Sequence, residues 1–283
     1  LAGLKKTILR ALASCVRHQA LVLELFVLSN FTFLILDIYL AHSVNRFRHP
    51  AEWIPFWFSL AASLALLPCV ILQWRGRNGV LGHFIGLCIG YGAIAVGVGG
   101  LAYHLDSQFF ELWTLKSLVY TAPCVAPLSY AGLGFLLILN RTVDHSSREW
   151  SQWVTFFALG GFVGNFLLTL ADHAQNGFFH FSEWVPVATS ALAVGFLFMA
   201  LGERDRLFHQ VCLGVITFQA LIGVLGFYLH FESSAAGFSS NRLESFVHGA
   251  PILAPMLFAD LALLAAIGIG RGLQAQAPAH LRD

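Results

Sequence analysis

The chain has 283 residues, of which 57% are hydrophobic and 11% charged, with 16 Lys and Arg set against 15 Asp and Glu. A soluble domain carries about 25% charged residues. This composition therefore excludes an ordinary water-soluble fold, and the near-zero net charge without a basic, aromatic-interleaved run excludes a nucleic-acid-binding surface.

Residues 1–20 carry Lys5, Lys6, Arg10 and Arg17 ahead of the first apolar run. They read as a cytoplasmic or interfacial amphipathic segment, not a signal peptide, because no separate apolar core with a cleavage site follows them. Spans are expected at about 20–41, 53–73, 81–103, 115–139, 152–171, 184–201, 208–230 and 246–270. Each is about 20 residues, enough to cross a ~30 Å hydrocarbon core as a helix. The fold class expected is an all-α integral membrane protein of about eight transmembrane helices. Residues 141–151 form a linker and 271–283 a tail.

Basic residues set the orientation. The N-terminal segment, the turns at Arg75 and Arg77, Arg141 and Arg148, Arg204 and Arg206, and the tail with Arg271 and Arg282 lie on one side. Only Arg46, Arg48, Lys116 and Arg242 lie on the other. The positive-inside rule then puts both termini in the cytoplasm of a cell (inner) membrane.

The two halves of the chain repeat each other. His42, Asn45, Phe47, His49, Glu52, Trp53 and Pro55 align without gaps on His173, Asn176, Phe178, His180, Glu183, Trp184 and Pro186. Later, Pro123 and Pro127 align on Pro251 and Pro255, and Tyr120 on His248. Between these blocks His83 and His104 match His209 and His230, and Asp106 matches Glu232. Residues 21–140 and 152–270 are thus read as tandem copies of one four-helix unit. Four spans per copy insert both the same way up, giving parallel repeats.

The repeated polar residues gather at the outer end. His42, His104, His173 and His230 close odd-numbered spans, and these four are the expected cofactor-binding residues. His49 with Glu52, His180 with Glu183, and Glu244 with His248 place imidazole and carboxylate three or four residues apart. Such spacings share one face of a helix, and these six are the expected metal ligands. Imidazole with carboxylate suits Zn, Fe or Mn, and a pair of histidines on diagonal helices suits a b-type haem. Cys15, Cys69, Cys88, Cys124 and Cys212 form no CxxC, and only Met199 and Met256 supply thioether, so a soft Cu(I) site is not expected. Where the second copy has Glu244 and His248, the first has Lys116 and Tyr120, and Lys116 is expected to pair with Glu52 or Asp106.

Three further expectations follow. Glu24, Asp37 and Asp260 lie inside apolar spans, where ionisable groups are costly and are paired or functional; Asp260 and Asp37 are the proton-path candidates. Pro123 with Pro127, and Pro251 with Pro255, should kink the fourth and eighth spans. Gly82, Gly86 and Gly90, and Gly160, Gly161 and Gly164, should line close helix contacts. The expected function is that of a membrane redox or metalloprotein with an extracytoplasmic metal or haem site. The alternatives are a cation- or proton-coupled transporter, or a non-catalytic membrane subunit whose partners are other proteins of a complex.

Overall fold

A computed structural model describes residues 19–77, 79–202, 205–236 and 249–275, and all regular structure within them is helical. Helix α1 spans Gln19–Ser43, α2 Trp53–Trp74 and α3 Val80–Asp106. Two short helices follow, α4 at Phe109–Leu112 and α5 at Leu115–Tyr120, and then α6 at Leu128–Thr142. The second half holds α7 at Arg148–Gln175, α8 at Trp184–Gly202, α9 at Arg206–Ala236 and α10 at Met256–Ala275. Single turns of 3-10 helix, Pro50–Glu52 and Phe181–Glu183, lead into α2 and α8.

Six of these elements are long and apolar enough to cross a membrane: α1, α3, α7 and α9, and α2 and α8 with their leading turns. At 1.5 Å per residue the 25 residues of α1 reach about 38 Å. Leu64, Tyr91, Phe198 and Leu221 are exposed on the outside of the bundle, as hydrocarbon-facing residues must be. The protein is a multi-pass membrane protein.

The fourth span departs from expectation. In place of one kinked helix over 115–139, helix α5 stops at Tyr120, residues 121–127 leave the helix, and α6 restarts at Leu128. Proline lacks an N–H and forces the residue before it towards extended backbone, so Pro123 and Pro127, four apart, break the helix outright. Thr121 is already extended. The 15 residues of α6 reach only about 22 Å, less than a hydrocarbon core. On the second side α10 begins directly after Pro255 and not at 246.

Helices α1, α2, α3 and α6 close a ring in which each packs on the next, and α7, α8, α9 and α10 close another. The two rings meet where α6 packs on α7 and α10 on α1. Phe135 stacks on Phe157 at 5.6 Å at the first seam, and Asn30 donates to Asp260 at 2.9 Å at the second. Phe31, Leu66 and Leu137 fill the first ring, and Phe162, Leu197 and Ile216 the second, all 1% exposed or less.

Glycine sets the closest approaches. A Cβ on Gly97 would stand 2.7 Å from the Ala131 nitrogen on α6, and one on Gly223 would stand 2.7 Å from the Pro255 carbonyl oxygen at the head of α10. Gly90 and Gly161 are also contact positions, against Ile138 and Leu261, whereas Gly160 faces open space. Gly86 makes room for the Arg141 guanidinium. That guanidinium forms a two-pronged pair with Glu24, which is fully buried, so the carboxylate inside the first span is there as one half of an ion pair.

Candidate functional site

At one end of each ring, the last turn of the first helix, the 3-10 turn leading into the second and the C-terminal part of the third meet. In the first ring His42 Nδ1 lies 3.5 Å from Glu52 Oε2, and the His42 and His104 rings stand 6.3 Å apart between centroids, nearly perpendicular. In the second ring His173 Nδ1 lies 3.4 Å from Glu183 Oε2, and the His173 and His230 rings stand 6.5 Å apart, again nearly perpendicular. The histidine and carboxylate side chains are 19% and 17% exposed in both rings. Such matching holds each group in the same half-sheltered setting.

Local structure explains the match. After α1 the chain turns through left-handed backbone at Arg46 and Phe47; after α7 it does so at Gly177 and Phe178. The turn stacks Phe47 on Trp53 at 4.0 Å and Phe178 on Trp184 at 3.9 Å, anchoring the head of the following helix. The backbone N–H of His49 donates to Glu52 Oε1 at 3.2 Å, and that of His180 to Glu183 Oε1 at 3.3 Å. Each carboxylate thus spends one oxygen on its own turn and turns the other towards the histidine. Those second oxygens, Glu52 Oε2 and Glu183 Oε2, are buried and lack a hydrogen-bond partner among the described residues. A buried carboxylate oxygen left so is costly unless a proton, water or cation meets it.

The third member of each cluster is pinned by backbone. His104 Nδ1 lies 2.9 Å from the Pro123 carbonyl oxygen, and His230 Nδ1 lies 2.9 Å from that of Pro251. A carbonyl only accepts, so Nδ1 carries the proton, and Nε2 of the neutral ring keeps its lone pair. The helix break is what presents these carbonyls. It also releases the Val119 carbonyl, four residues before Pro123, which accepts from Gln175 Nε2 at 2.6 Å and ties the first half to the second. Thr121 Oγ1 donates to the His104 carbonyl at 2.7 Å and shares a 2.7 Å hydrogen bond with Ser107, fixing the same corner.

The other expected residues are placed differently. His49 Nδ1 accepts the Ala51 N–H at 3.2 Å, so its ring caps the turn, and it packs 5.5 Å from Tyr103. His180 occupies the corresponding cap position before Phe181–Glu183. Glu244 and His248 lie outside the described residues. Lys116 is exposed and makes no ion pair among the described residues, so the expected pairing with Glu52 or Asp106 is not formed. Asp37 is half-buried on α1, and Asp260 sits at the seam with Asn30, away from both clusters. Residue spacing marks the proline pairs but not the part that the Pro123 and Pro251 carbonyls play as imidazole acceptors.

Among the described residues, no three His, Cys, Asp or Glu side chains stand close enough together to hold a metal ion. Within each cluster the imidazole and carboxylate are close, and the second imidazole stands back. Comparison of the chain with protein-family models, curated proteins and solved structures finds no match.

Proposed function

We propose that this is a membrane metalloprotein built from a duplicated four-helix unit, with eight membrane-crossing segments and two equivalent cation centres at its extracytoplasmic end. The observation that carries the reading is the approach of His42 Nδ1 to Glu52 Oε2 at 3.5 Å, repeated by His173 and Glu183 at 3.4 Å, each carboxylate oxygen being otherwise without a partner among the described residues. Two ligands on a tetrahedral ion with bonds of about 2.0–2.2 Å lie roughly 3.3–3.6 Å apart. The separation is long for a hydrogen bond and right for the edge of a coordination tetrahedron.

His104 and His230 supply the third ligand of each centre. An imidazole whose far nitrogen donates to a backbone carbonyl is the usual outer-shell arrangement of a metal-bound histidine. Two imidazoles on one tetrahedral ion have ring centroids roughly 5 Å apart. With the rings at 6.3 and 6.5 Å, the pinned ring would have to close in by about 1 Å to share an ion with its partner. Two nitrogens and one carboxylate suit Zn, Fe(II) or Mn and leave a position for water or substrate. The carboxylate beside each imidazole pair favours a single ion over a porphyrin, so b-type haem is the second choice of cofactor.

The duplication is supported by the paired geometry: matching His–Glu distances, matching ring separations, matching proline-carbonyl acceptors and left-handed turns at aligned positions. The extracytoplasmic placement is supported by the basic-residue asymmetry. Elemental analysis and a visible spectrum of protein purified without chelator test the function. Stoichiometric Zn, Fe or Mn, reduced by His104→Ala and by His230→Ala, is expected. Metal at background in wild type, before and after incubation with each ion, overturns the reading; a Soret band replaces the single ion by haem.

A further inference from the structure

The two rings differ inside. With the alignment that pairs His42 with His173, the packed positions Leu34 and Ile38 of α1 become Asn165 and Thr169 of α7, and the exposed Ala41 becomes the half-buried Asp172. These recur at i, i+4 and i+7, one face of the helix, and they climb towards His173. On the facing helices Phe58 becomes Thr189 and Ala93 becomes Gln219. Changes also run the other way: Tyr130 of the first ring becomes Phe258, Ser63 becomes Val194 and Asp37 becomes Leu168.

Thr189 donates to the Val185 carbonyl at 2.7 Å, but the two buried amides so introduced keep polar atoms without a partner among the described residues. Gln219 is 0% exposed, and neither its Nε2 nor its Oε1 has a hydrogen-bond partner among the described residues. Asn165 is 4% exposed, and its Nδ2 has none either. In the first ring the Tyr130 hydroxyl binds Ser59 at 2.5 Å and donates to the Pro55 carbonyl at 2.9 Å. The second ring keeps the aligned Ser190, 0% exposed, but Phe258 brings no hydroxyl, and Ser190 turns to the Val187 carbonyl at 2.9 Å. A polar oxygen has been removed from the interior just where unsatisfied donors and an acceptor have been added.

Buried amides left without partners cost enough that proteins meet them with ordered water, and a water needs two to four polar partners in a roomy site. We propose that the second ring encloses an internal water site between Asn165, Ser190 and Gln219, held within the bundle on the inner side of the His173–Glu183 pair. At the same level of the first ring, Leu34 and Ala93 stand in place of the two amides and the Tyr130 hydroxyl meets Ser59, so the described residues there leave no matching pair of unpartnered amides. The two rings then differ in internal hydration at this level, the second holding water where the first is filled by side chains. This inference rests on the duplication proposed above and not on the identity of any bound ion.

Radiolytic hydroxyl-radical footprinting of the purified full chain in detergent tests it, because water trapped beside a side chain labels that side chain even where bulk solvent cannot reach. Phe162 and Phe31 occupy aligned positions, both 0% exposed, and form an internal control. The expected result is oxidation of Phe162 at least several-fold faster than Phe31. The double substitution Asn165→Leu with Gln219→Ala installs the first ring's residues and should bring Phe162 down to the rate of Phe31. Equal protection of both phenylalanines in the wild-type protein overturns the proposal, and so does fast labelling of Phe162 that the double variant leaves unchanged. Metal content measured on the same samples separates this outcome from that of the metal reading. Metal without Phe162 labelling sinks the water site alone, and labelling without metal sinks the metal centre alone.

Discussion

Two residues of the first half carry a burden that their counterparts avoid. Arg46 sits in left-handed backbone at φ 56°, where the second half has Gly177 at φ 66°. A side chain in that region costs about 1–2 kcal/mol, and glycine enters it freely. Arg46→Gly should therefore raise stability by about 1 kcal/mol after the greater freedom of the unfolded glycine is subtracted, read as a higher thermal midpoint in detergent. Glu24 carries a different burden, since its buried charge is tolerable only with Arg141 beside it. Removing one partner of a buried pair costs about 3–5 kcal/mol, so Glu24→Ala should lose that much. The double change Glu24→Leu with Arg141→Met should recover most of it. A single variant as stable as wild type would show that the pair contributes little.

Among elements, glycine positions make the sharpest contrast. Gly97 and Gly99 are two residues apart on α3, yet a Cβ at Gly97 collides with the backbone of α6, and one at Gly99 meets nothing within 4 Å. Gly97→Leu should cost about 1–3 kcal/mol by forcing α3 from α6, while Gly99→Leu changes stability little. Equal midpoints for the two variants would mean that α3 and α6 do not approach as closely as described. The broken fourth helix explains where reading from sequence reaches its limit. Hydropathy and spacing locate the helices, and the registered polar residues bring His42, Glu52 and His104 to one end. They do not separate a kinked helix from an interrupted one, because Pro123 and Pro127 are compatible with both. Nor do they reveal that His104 is held by a carbonyl, since a backbone acceptor leaves no mark in residue identity. The spacing of His49 and Glu52 suggested paired ligands on a helix. In an N-cap turn the same spacing brings Glu52 back to the His49 backbone, and the ring is used for capping. The Glu24–Arg141 pair joins residues 117 apart in sequence, beyond the range of any local pattern.

At the scale of the whole molecule the basic residues make the orientation testable. On a cysteine-free background, Ser43→Cys and Ala174→Cys should both react with a membrane-impermeant maleimide added from the extracytoplasmic side. Both lie in the last turn of a spanning helix beside a His–Glu pair. Labelling of one from each side would rule out parallel halves, and labelling of both only from the cytoplasm would invert the protein.

The seams carry a last consequence. Helices α6 and α7 pack together and are joined by residues 143–147; α10 and α1 pack together at the other seam, held by Asn30 and Asp260, and the chain does not join them there. If the halves are related by a two-fold axis, those free helix ends are separated much as the connected ones are. A gene recut at residue 145, with a linker of similar length sewn between the end of α10 and the start of α1, should encode the halves in reverse order and fold to the same bundle. Its product would show that the order of the halves along the chain is not what makes the bundle fold. Evolution could then have varied either half without rewriting the other.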